Sequence, residues 1–581
     1  MRIPIQKQVE FIQFQIQGHE DAFKSYMRRN LNSHFADRTA FWGKIWGIDE
    51  KRGNLILKFE SGMPPRLNMP LSAFLFKGVP NFEKPKTWNF SYEKFRLFYA
   101  KLETNIRPIF YMESNNSGEH LIGCREVESD FLEKIRPILQ NGKRPSIVLA
   151  ERDPPVQYLL NLKSFISSHK DDLVLNSSLE KSFSQWEPEK FPVQGSKPEF
   201  VASQLEQFGE LLIQGPPGTG KSHLIAEIAA TYLGQGNSVC ITSLTNKALT
   251  EVAEKPGLAT ALASGRVYKT NLTLTELSQN NKLKQSDGLG AIRGNLLLAT
   301  YYKLSEWYDD RNPNRSKATF PLYDLIIIEE ASQCFLATIA AFKRLGKRVL
   351  IVGDPMQLPP IIMDEVKSLR IHPGIRSFAH GLAAYAANSV FPAYLLNQTY
   401  RLSPLAAAQT GIFYKGQLES IQKTLAPLKS SPAFQSVIPV TGETRIKFIP
   451  QIGDGDNPKE AMQFAVDLLL ELRKLNPEIE VAVLAPFKKT VLGLQEMIGG
   501  QLRDQSGITV ETIDKIQGLT VDFAIFLLAL SNPGFAMNLN RFNVATSRAR
   551  KGTLVITDKE YIRFLGIDPL VTQYLAALKH D

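Results

Sequence analysis

The sequence predicts an α/β protein made of two doubly wound parallel sheets in series, preceded by a β-rich accessory region. From about residue 195 onward, short apolar runs alternate with stretches of helical spacing, the pattern of a mostly parallel sheet covered on both faces. Before that point the chain has aromatic, partly alternating segments typical of antiparallel strands. We therefore expect an accessory region at 1–194, a first α/β domain at 195–385 and a second at 386–581.

The accessory region is expected to contain a small β-rich unit from about residue 35 to 115. Residues 41–48 and 54–60 flank a Lys-Arg-Gly turn, which favours a β-hairpin. Residues 92–102 and 156–166 have the apolar spacing of helices. The N-terminal segment alternates apolar and polar residues and lacks the long apolar centre of a secretion signal.

The two α/β domains are predicted from their apolar runs, each short enough to be a buried strand. In the first domain these runs are 211–214, 239–243, 296–299, 325–328 and 349–352. In the second domain they are 446–449, 481–485, 508–513, 523–530 and 553–556. Residues 422–445 and 451–459 are rich in Pro, Ser, Gly and Asp and are predicted to be loops.

Composition narrows the class of protein. The 581 residues are 43% hydrophobic and 22% charged, as in ordinary globular domains, and no stretch approaches the roughly 18–20 apolar residues of a membrane span. Three scattered cysteines and no C-x-x-C pair argue against a zinc module and suit a reducing compartment. We expect a cytoplasmic monomer without a membrane partner. A net charge of +10 favours a polyanion such as nucleic acid, although many basic proteins bind none.

Residues 215–222 read GPPGTGKS and fit a phosphate-binding loop in full. An apolar strand precedes the loop and a helical stretch follows it, and this context favours a phosphate cradle over an incidental glycine-rich turn. Lys221 is expected to reach the β- and γ-phosphates of ATP, and the Ser222 hydroxyl to hold Mg²⁺. The predicted nucleotide-binding residues are Gly215, Pro216, Pro217, Gly218, Thr219, Gly220, Lys221 and Ser222.

Two carboxylates follow the apolar run 325–328, at the strand end where such sheets bind ligands. Glu329 is expected to bind Mg²⁺ through water, and Glu330 to orient or deprotonate the attacking water. The alternative is a strand that ends in solvated acids. After the next apolar run, Gln357 has an amide suited to both a water and a γ-phosphate, or else belongs to a Pro-rich loop without a role.

Seven ordered segments resemble the superfamily 1 helicases, and more narrowly their up-frameshift-like branch, which moves 5′ to 3′. The resemblance covers about residues 205–560 and implies two tandem RecA-like domains. It implies that the accessory region is a small barrel on helical stalks that splits or guides the duplex. The segments are GPPGTGKS (215–222), SLTNKAL (243–249), EEASQ (329–333), GDPMQLPP (353–360), NQTYRLSP (397–404), IDKIQGLTVD (513–522) and NRFNVATSRAR (540–550).

The resemblance also implies roles that no local pattern supplies. Arg401 and Arg548 match the two arginines that reach the γ-phosphate from the second domain, and Tyr400 matches the residue that packs on adenine. Gln517 and Gly518 match the motif that links ATP to the strand. Seven further residues match nucleic-acid contacts, although core packing remains an equal alternative for each: Ser243, Thr245, Asn246, Thr300, Pro486, Phe487 and Thr512. Phe487 or Tyr301 is a candidate for stacking on a base.

The sequence departs from this family at three places. Glu329 stands where Asp is usual, and Thr520 stands where an acid near the nucleotide sugar is frequent. The adenine-reading glutamine has two candidates, Gln204 and Gln207, both close to the phosphate loop in sequence. These departures concern metal geometry and nucleotide preference.

We therefore expect an ATP-dependent 5′-to-3′ helicase or translocase that contacts single-stranded DNA or RNA through phosphates, independently of sequence. We also expect a protein partner that recruits it. One alternative is an ATP-driven clamp or remodeller without unwinding. Another is a degenerate ATPase that serves only as a binding module, and the catalytic set argues against it: Lys221, Glu330, Gln357, Arg401 and Arg548.

Overall fold

The computed structural model describes most of the chain. The described residues are 2–580 except 60–63, 66–68, 77–87, 114–118, 178, 180, 182, 193–194, 273–275, 278–279, 281, 316–317, 372–373, 423–424, 452–454, 500, 503–504 and 564–566. The last residue of the predicted hairpin, Glu60, lies outside them.

The accessory region contains a closed antiparallel barrel. Its strands, in spatial order, are Phe41–Asp49, Asn54–Phe59, His120–Arg125, Ala100–Glu113, Leu71–Phe76 and Ser146–Glu151. The predicted hairpin is confirmed, since the first two strands pair antiparallel. The barrel extends to residue 151, beyond the expected end near 115. Its interior is apolar and is closed partly by the helix Ser129–Gln140.

The helix predicted over 92–102 is wrong in its second half. The observed helix spans only Tyr92–Phe98, and the barrel strand Ala100–Glu113 begins two residues after the helix ends. Within this strand Thr104 and Ile106 are buried while their neighbours are not, which is the period-two burial of a strand. Cross-strand pairing therefore overrides the helical spacing of this short segment.

Two helices connect the barrel to the first α/β domain, Ile5–Arg28 and Val156–Ser168, which pack side by side. The second was predicted, whereas no helix was predicted at the N-terminus, where apolar and polar residues alternate in the sequence. The buried positions of the first helix recur at helical spacing and include Phe11 and Gln15. The Gln15 amide donates to Ser368 Oγ (3.1 Å) and its oxygen accepts from the Met363 N–H (2.7 Å), which ties this helix to the first domain.

The first α/β domain is a nine-stranded sheet in which neighbouring strands run parallel. Its order is Lys284–Gln285, Val267–Lys269, Leu296–Thr300, Val239–Ser243, Tyr323–Ile328, Gly346–Gly353, Glu210–Gln214, Ala393–Leu395 and Glu189–Lys190. The five predicted strands are all present. The other four are two- or three-residue strands, two at each side of the sheet, and are too short for a periodic signal. Two of them carry this sheet beyond the expected limits of 195 and 385.

Separate apolar cores lie on the two faces of this sheet. The helices of the first domain are Lys197–Phe208, Lys221–Gly234, Asn246–Ala253, Ala259–Ala263, Tyr301–Leu304, Leu336–Lys343, Glu365–Ile371, Arg376–Ala379 and Gly381–Asn388. A sheet covered on both faces presents its functional residues at the strand ends.

The second α/β domain is a six-stranded parallel sheet, again with a core on each face. Its order is Ile508–Thr512, Val481–Ala485, Phe523–Leu527, Thr553–Thr557, Thr444–Phe448 and Lys579–His580. Its helices are Pro404–Gly411, Lys459–Leu475, Lys488–Gly499, Pro533–Ala536, Leu539–Thr546 and Pro569–Ala576. Two short strands, Gln398–Thr399 and Glu419–Ser420, pair with each other; in the chain they lie between the strands of the first sheet and those of the second. The short helix Leu31–Ala36 precedes the barrel. The predicted fold class is confirmed.

Among the described helices, none is long and apolar enough to cross a membrane.

Candidate active site and nucleic-acid interface

The order of strands in the first sheet separates two sets of predicted site residues. The phosphate loop, Gln357 and the two acids follow three adjacent strands: Glu210–Gln214, Gly346–Gly353 and Tyr323–Ile328. The predicted nucleic-acid residues of the first domain lie at or just after the ends of the next two strands, Val239–Ser243 and Leu296–Thr300. All five strands end at one edge of the sheet because they are parallel. The strand that ends in Ser243 therefore borders both sets.

The phosphate loop has the backbone that its glycines predict. Gly218 and Gly220 have φ angles of 74° and 81°, in the left-handed region. Lys221 folds back so that its ammonium donates to the carbonyls of Gly215 (2.5 Å) and Pro216 (3.3 Å). A Cβ added to Gly215 would lie 2.3 Å from Lys221 Cγ, so only glycine leaves room for this lysine. Burial lowers the pKa of Lys221.

Of the two acids beside Ser243, Glu329 is buried and Glu330 is half-buried. The Ser243 hydroxyl lies 2.7 Å from Glu329 Oε2 and 3.2 Å from Glu330 Oε2. Burial, together with the neighbouring Glu330 charge, raises the pKa of Glu329 to about 8. Burial also raises the pKa of Glu330, and its φ of 55° places this residue in the left-handed region. Two crowded carboxylates of this kind favour a divalent cation, since its charge offsets both penalties.

Gln357 is held by an acid that the sequence reasoning did not single out. Its amide donates to Asp354 Oδ2 (3.0 Å), and the Tyr414 hydroxyl donates to the same oxygen (2.6 Å). The Gln214 amide donates to Asp354 Oδ1 (3.2 Å). Asp354 is only 2% exposed and lies within the GDPMQLPP segment, which was the available signal. Asp354 therefore connects three parts of the molecule through hydrogen bonds: the strand before the phosphate loop, Gln357 and the second domain.

The Asn-Gln-Thr-Tyr-Arg segment of 397–401 packs directly on the phosphate loop. The Tyr400 N–H donates to the Gly218 carbonyl (2.8 Å), and the Thr399 hydroxyl donates to the Pro217 carbonyl (3.0 Å). The Tyr400 ring is 49% exposed and lies beside Gly220, where an added Cβ would be 3.5 Å from its Cε2. The ring thus lies at the mouth of the loop and is free to pack on a planar group.

Two arginines, Arg401 and Arg548, lie near the phosphate loop, although both follow the strands of the first sheet in the chain. Arg401 Nη1 donates to the Ser547 carbonyl (3.2 Å), and Arg548 Nε donates to the Val544 carbonyl (2.8 Å). Desolvation lowers the pKa of Arg401 to about 10 and, with the Arg401 charge added, that of Arg548 to about 9. Both charges also lower the pKa of Lys221, so the three cations are neighbours.

Arg548 has an unused donor in this cluster. It is 2% exposed, and its Nη2 is buried without a hydrogen-bond partner among the described residues. Buried guanidinium donors are normally paired, because leaving one unpaired costs about 1–3 kcal/mol or more. A phosphate loop too tight for an added Cβ at Gly215 and three cations, of which Arg548 is buried with an unpaired donor among the described residues, together fit a polyphosphate.

Gln517 connects the two sheets. Its side-chain oxygen accepts a hydrogen bond from the Gln333 amide, which follows the two acids in the first domain. Gly518, next in the chain, has a φ of 79°. The Gln517 side chain thus contacts the first domain three residues after Glu330.

The predicted nucleic-acid residues differ in accessibility. Thr245 and Asn246 are exposed and Phe487 is half-buried, whereas four are buried: Ser243, Thr300, Pro486 and Thr512. Phe487 stacks on Phe535 with ring centres 5.7 Å apart.

Tyr301 is not available to a base. Its ring is fully buried, and its hydroxyl donates to the Glu329 carbonyl. The helix Tyr301–Leu304 begins directly after its strand, and this turn directs the side chain inward. Of the two candidates for reading adenine, Gln207 is exposed and the Gln204 oxygen accepts from the Tyr394 hydroxyl (3.0 Å).

Comparison with known proteins agrees with these motifs. A family model described as an AAA domain matches residues 200–363, and a second model of the same description matches residues 382–560. These ranges contain the phosphate loop with its two acids and the two arginines, respectively. The chain belongs to the superfamily 1 helicases. Within this superfamily, its relatives are those of the up-frameshift-like branch.

Two curated relatives illustrate the similarity. This superfamily 1 chain is 27% identical over 286 residues to the DNA polymerase alpha-associated DNA helicase A of Saccharomyces cerevisiae, covering 43% of this chain and 41% of that protein. It is 24% identical over 431 residues to the Regulator of nonsense transcripts 1 homolog of Neurospora crassa, covering 64% of this chain and 38% of that protein. The chain spans less than half the length of the curated relatives it matches.

Among solved structures, the complex of the arterivirus nonstructural protein 10 helicase with DNA is similar at 16% identity, with 63% of each chain covered and a TM-score of 0.35.

Proposed function

We propose that this superfamily 1 chain is a nucleic-acid-dependent ATPase that works as a 5′-to-3′ helicase or translocase on single-stranded DNA or RNA. The observation that carries the proposal is the Arg548 guanidinium, which is buried near Lys221 and has one donor without a partner among the residues that the structure describes. Arg548 follows the helix Leu539–Thr546 of the second domain, whereas Lys221 belongs to the first. A polyphosphate between them joins the two domains, which is the arrangement of a motor.

The nucleotide would lie along the phosphate loop. The N–H groups of the loop and the start of the helix Lys221–Gly234 suit its phosphates, and Lys221 would leave the Gly215 carbonyl for them. The exposed Tyr400 ring is placed to pack on the adenine. The loop residues that contact ATP in this proposal are Gly215, Pro216, Pro217, Gly218, Thr219, Gly220, Lys221 and Ser222.

Glu329 and Glu330 would have different roles in hydrolysis. Ser222 and Glu329 would hold Mg²⁺, which supplies positive charge that offsets the charge on the phosphates. The longer side chain of Glu329, in place of the usual Asp, still reaches the buried site beside Ser243. Glu330 would accept a proton from the attacking water, and Gln357 would orient that water from its hydrogen bond to Asp354.

Hydrolysis is proposed to change the contact between the domains. Arg401 and Arg548 stabilise the charge that develops on the transferred phosphate, and such arginines are worth roughly 10³–10⁵ in rate. After hydrolysis that attraction weakens, which allows the domains to separate. Gln517 and Gly518 would pass this change to the strand path through the Gln333 contact.

The strand is proposed to cross the carboxyl ends of both sheets. Thr245 and Asn246 from the first domain and Phe487 from the second are accessible to it. The buried Thr300, Pro486 and Thr512 would contact it through backbone groups or after local rearrangement. Phosphate contacts of this kind carry no base sequence information, so the proposal covers both DNA and RNA.

The compartment, oligomeric state and recruitment of the protein are also proposals. The three cysteines are free and buried, which is consistent with a reducing cytoplasm. We propose that the chain acts as a monomer and is recruited to its substrate by a protein partner.

Unwinding of duplexes with a single-stranded tail tests this function. ATP-dependent strand separation is expected from a 5′ tail and not from a 3′ tail, with Glu330→Gln inactive on both. Unwinding from the 3′ tail alone would contradict the direction. Strand-stimulated ATP hydrolysis without unwinding on either tail would favour the clamp, and binding without hydrolysis would favour the degenerate ATPase.

A further inference from the structure

One hydroxyl group bridges the two acids of the ATP site. Ser243 is fully buried, and its Oγ lies within hydrogen-bond distance of both Glu329 (2.7 Å) and Glu330 (3.2 Å). A serine hydroxyl has one proton, so the same donor is shared between two acceptors. The position of Ser243 Oγ therefore influences how the two carboxylates sit relative to each other.

The same serine is close in sequence to solvent-facing residues. Only Leu244 separates it from Thr245, whose hydroxyl caps the helix Asn246–Ala253 by accepting from the Ala248 N–H (3.2 Å). Thr245 and Asn246 are exposed. A phosphate that binds at this turn would compete for the cap at Thr245, two residues from Ser243.

The neighbouring strand provides a second connection to the same acid. Thr300 pairs in register with Ser243 at the strand ends. The next residue, Tyr301, is fully buried and donates its hydroxyl hydrogen to the Glu329 carbonyl. Two adjacent strand ends thus hold Glu329, one through its carboxylate and one through its backbone.

We propose that Ser243 is a positioning residue that couples nucleic-acid binding at Thr245 and Asn246 to the arrangement of Glu329 and Glu330. The proposal rests on the proposed function and adds to it the group through which the strand is sensed. It gives Ser243 a role different from direct strand contact, which its burial prevents. In this proposal, binding of the nucleic-acid strand changes how the Ser243 hydroxyl is shared between Glu329 and Glu330, and the rate of ATP hydrolysis changes as a result.

The test compares ATP turnover of the full chain with and without an oligonucleotide, in separate arms with single-stranded DNA and single-stranded RNA. For Ser243→Ala, the ratio of stimulated to basal turnover is expected to fall about tenfold, a typical coupling between sites. Its affinity for the oligonucleotide without ATP is expected to stay at the wild-type value. Thr242→Val is the matched control, because Thr242 is buried on the same strand and its Oγ1 has no partner among the described residues.

Tyr301→Phe is a second, milder variant that removes only the hydroxyl on Glu329, and its ratio is also expected to fall. An unchanged ratio in both variants would overturn the coupling, as would an equal loss of basal and stimulated turnover in Ser243→Ala. Loss of oligonucleotide affinity in Ser243→Ala would instead show a direct contact. Failure of the proposed function is separate, because it shows as absent stimulation in the wild-type chain.

Discussion

The Tyr400 N–H donates to the Gly218 carbonyl over 2.8 Å, so the segment before the second sheet is fastened to the backbone of the phosphate loop. The next residue, Arg401, packs so closely that a Cβ on Gly218 would lie 2.4 Å from Arg401 Cβ. The loop therefore positions one of the two arginines, in addition to its proposed contact with the nucleotide. Substitutions in the loop should therefore affect the position of Arg401 as well as phosphate binding.

Gly218→Ala is predicted to lower ATP turnover and thermal stability together. Its φ of 74° disfavours a side chain, and the new Cβ would lie 2.7 Å from Thr399 Oγ1 as well. Gly234→Ala is the control, because Gly234 lies at the exposed end of its helix and an added Cβ there meets nothing within 4 Å. Calorimetry and steady-state turnover should show a loss only for Gly218→Ala; equal behaviour of the two variants would refute the close packing.

Arg548→Ala is predicted to reduce ATP turnover by roughly 10³–10⁵-fold while nucleotide still binds. The reason is that the buried guanidinium has a donor with no partner in the described part of the chain, and this donor suits the charge that develops in the transition state. Arg401→Ala is expected to act in the same direction. Arg550→Ala is the matched control, since this nearby arginine is exposed, and it should retain wild-type turnover. Comparable activity of the Arg548 and Arg550 variants would exclude the proposed role.

Lys221→Ala and Glu330→Gln are both predicted to abolish turnover, but through different steps. Lys221 donates to loop carbonyls at the place proposed for phosphates, so its removal should weaken nucleotide binding. Glu330→Gln keeps the shape of the side chain and removes the base, so nucleotide affinity should persist. A fluorescent ATP analogue measures the first effect and steady-state hydrolysis the second. Wild-type hydrolysis in both variants would show that the active site lies elsewhere.

The nucleotide-free protein is predicted to lose stability as pH rises through the range where Glu329 ionises. The pKa of Glu329 is raised to about 8 in the folded chain, against 4.5 as its ordinary value. Between these values the folded state holds a proton that the unfolded state has released, so the free energy of unfolding falls with rising pH. Below about 4.5 the penalty is absent, and above about 8 it is complete.

Glu329→Gln removes this titration and isolates the effect. The melting temperature of the wild-type chain, without nucleotide or Mg²⁺, should fall relative to the variant between pH 5 and pH 8, and Mg²⁺ with ATP should reverse the difference at the upper end. A constant difference across this range would mean that Glu329 is not a buried, destabilised carboxyl group.

Local motifs predicted much of the ATP site. The phosphate loop needs particular residues at fixed spacing between a strand and a helix, and the two acids end a buried strand, so both are visible in one segment. The core strands were predicted for a similar reason, because a strand buried on both faces is a continuous apolar run.

Contacts between distant segments were not predictable in this way. Asp354 receives hydrogen bonds from Gln214 and Tyr414, which are 140 and 60 residues away. Ser243 serves two acids 86 and 87 residues later, and nothing near it in sequence indicates this. The N-terminal helix was missed because its segment also alternates, and only packing against the first domain decides between the two periods.

ATP hydrolysis by the full chain, with and without single-stranded DNA or RNA at fixed ionic strength, tests the central claim most directly. The salt must be fixed because phosphate contacts weaken as salt rises. We predict Mg²⁺-dependent hydrolysis that single-stranded nucleic acid stimulates about tenfold or more and that Glu330→Gln abolishes. Hydrolysis that neither DNA nor RNA changes, or none above the level of Lys221→Ala, would contradict the account.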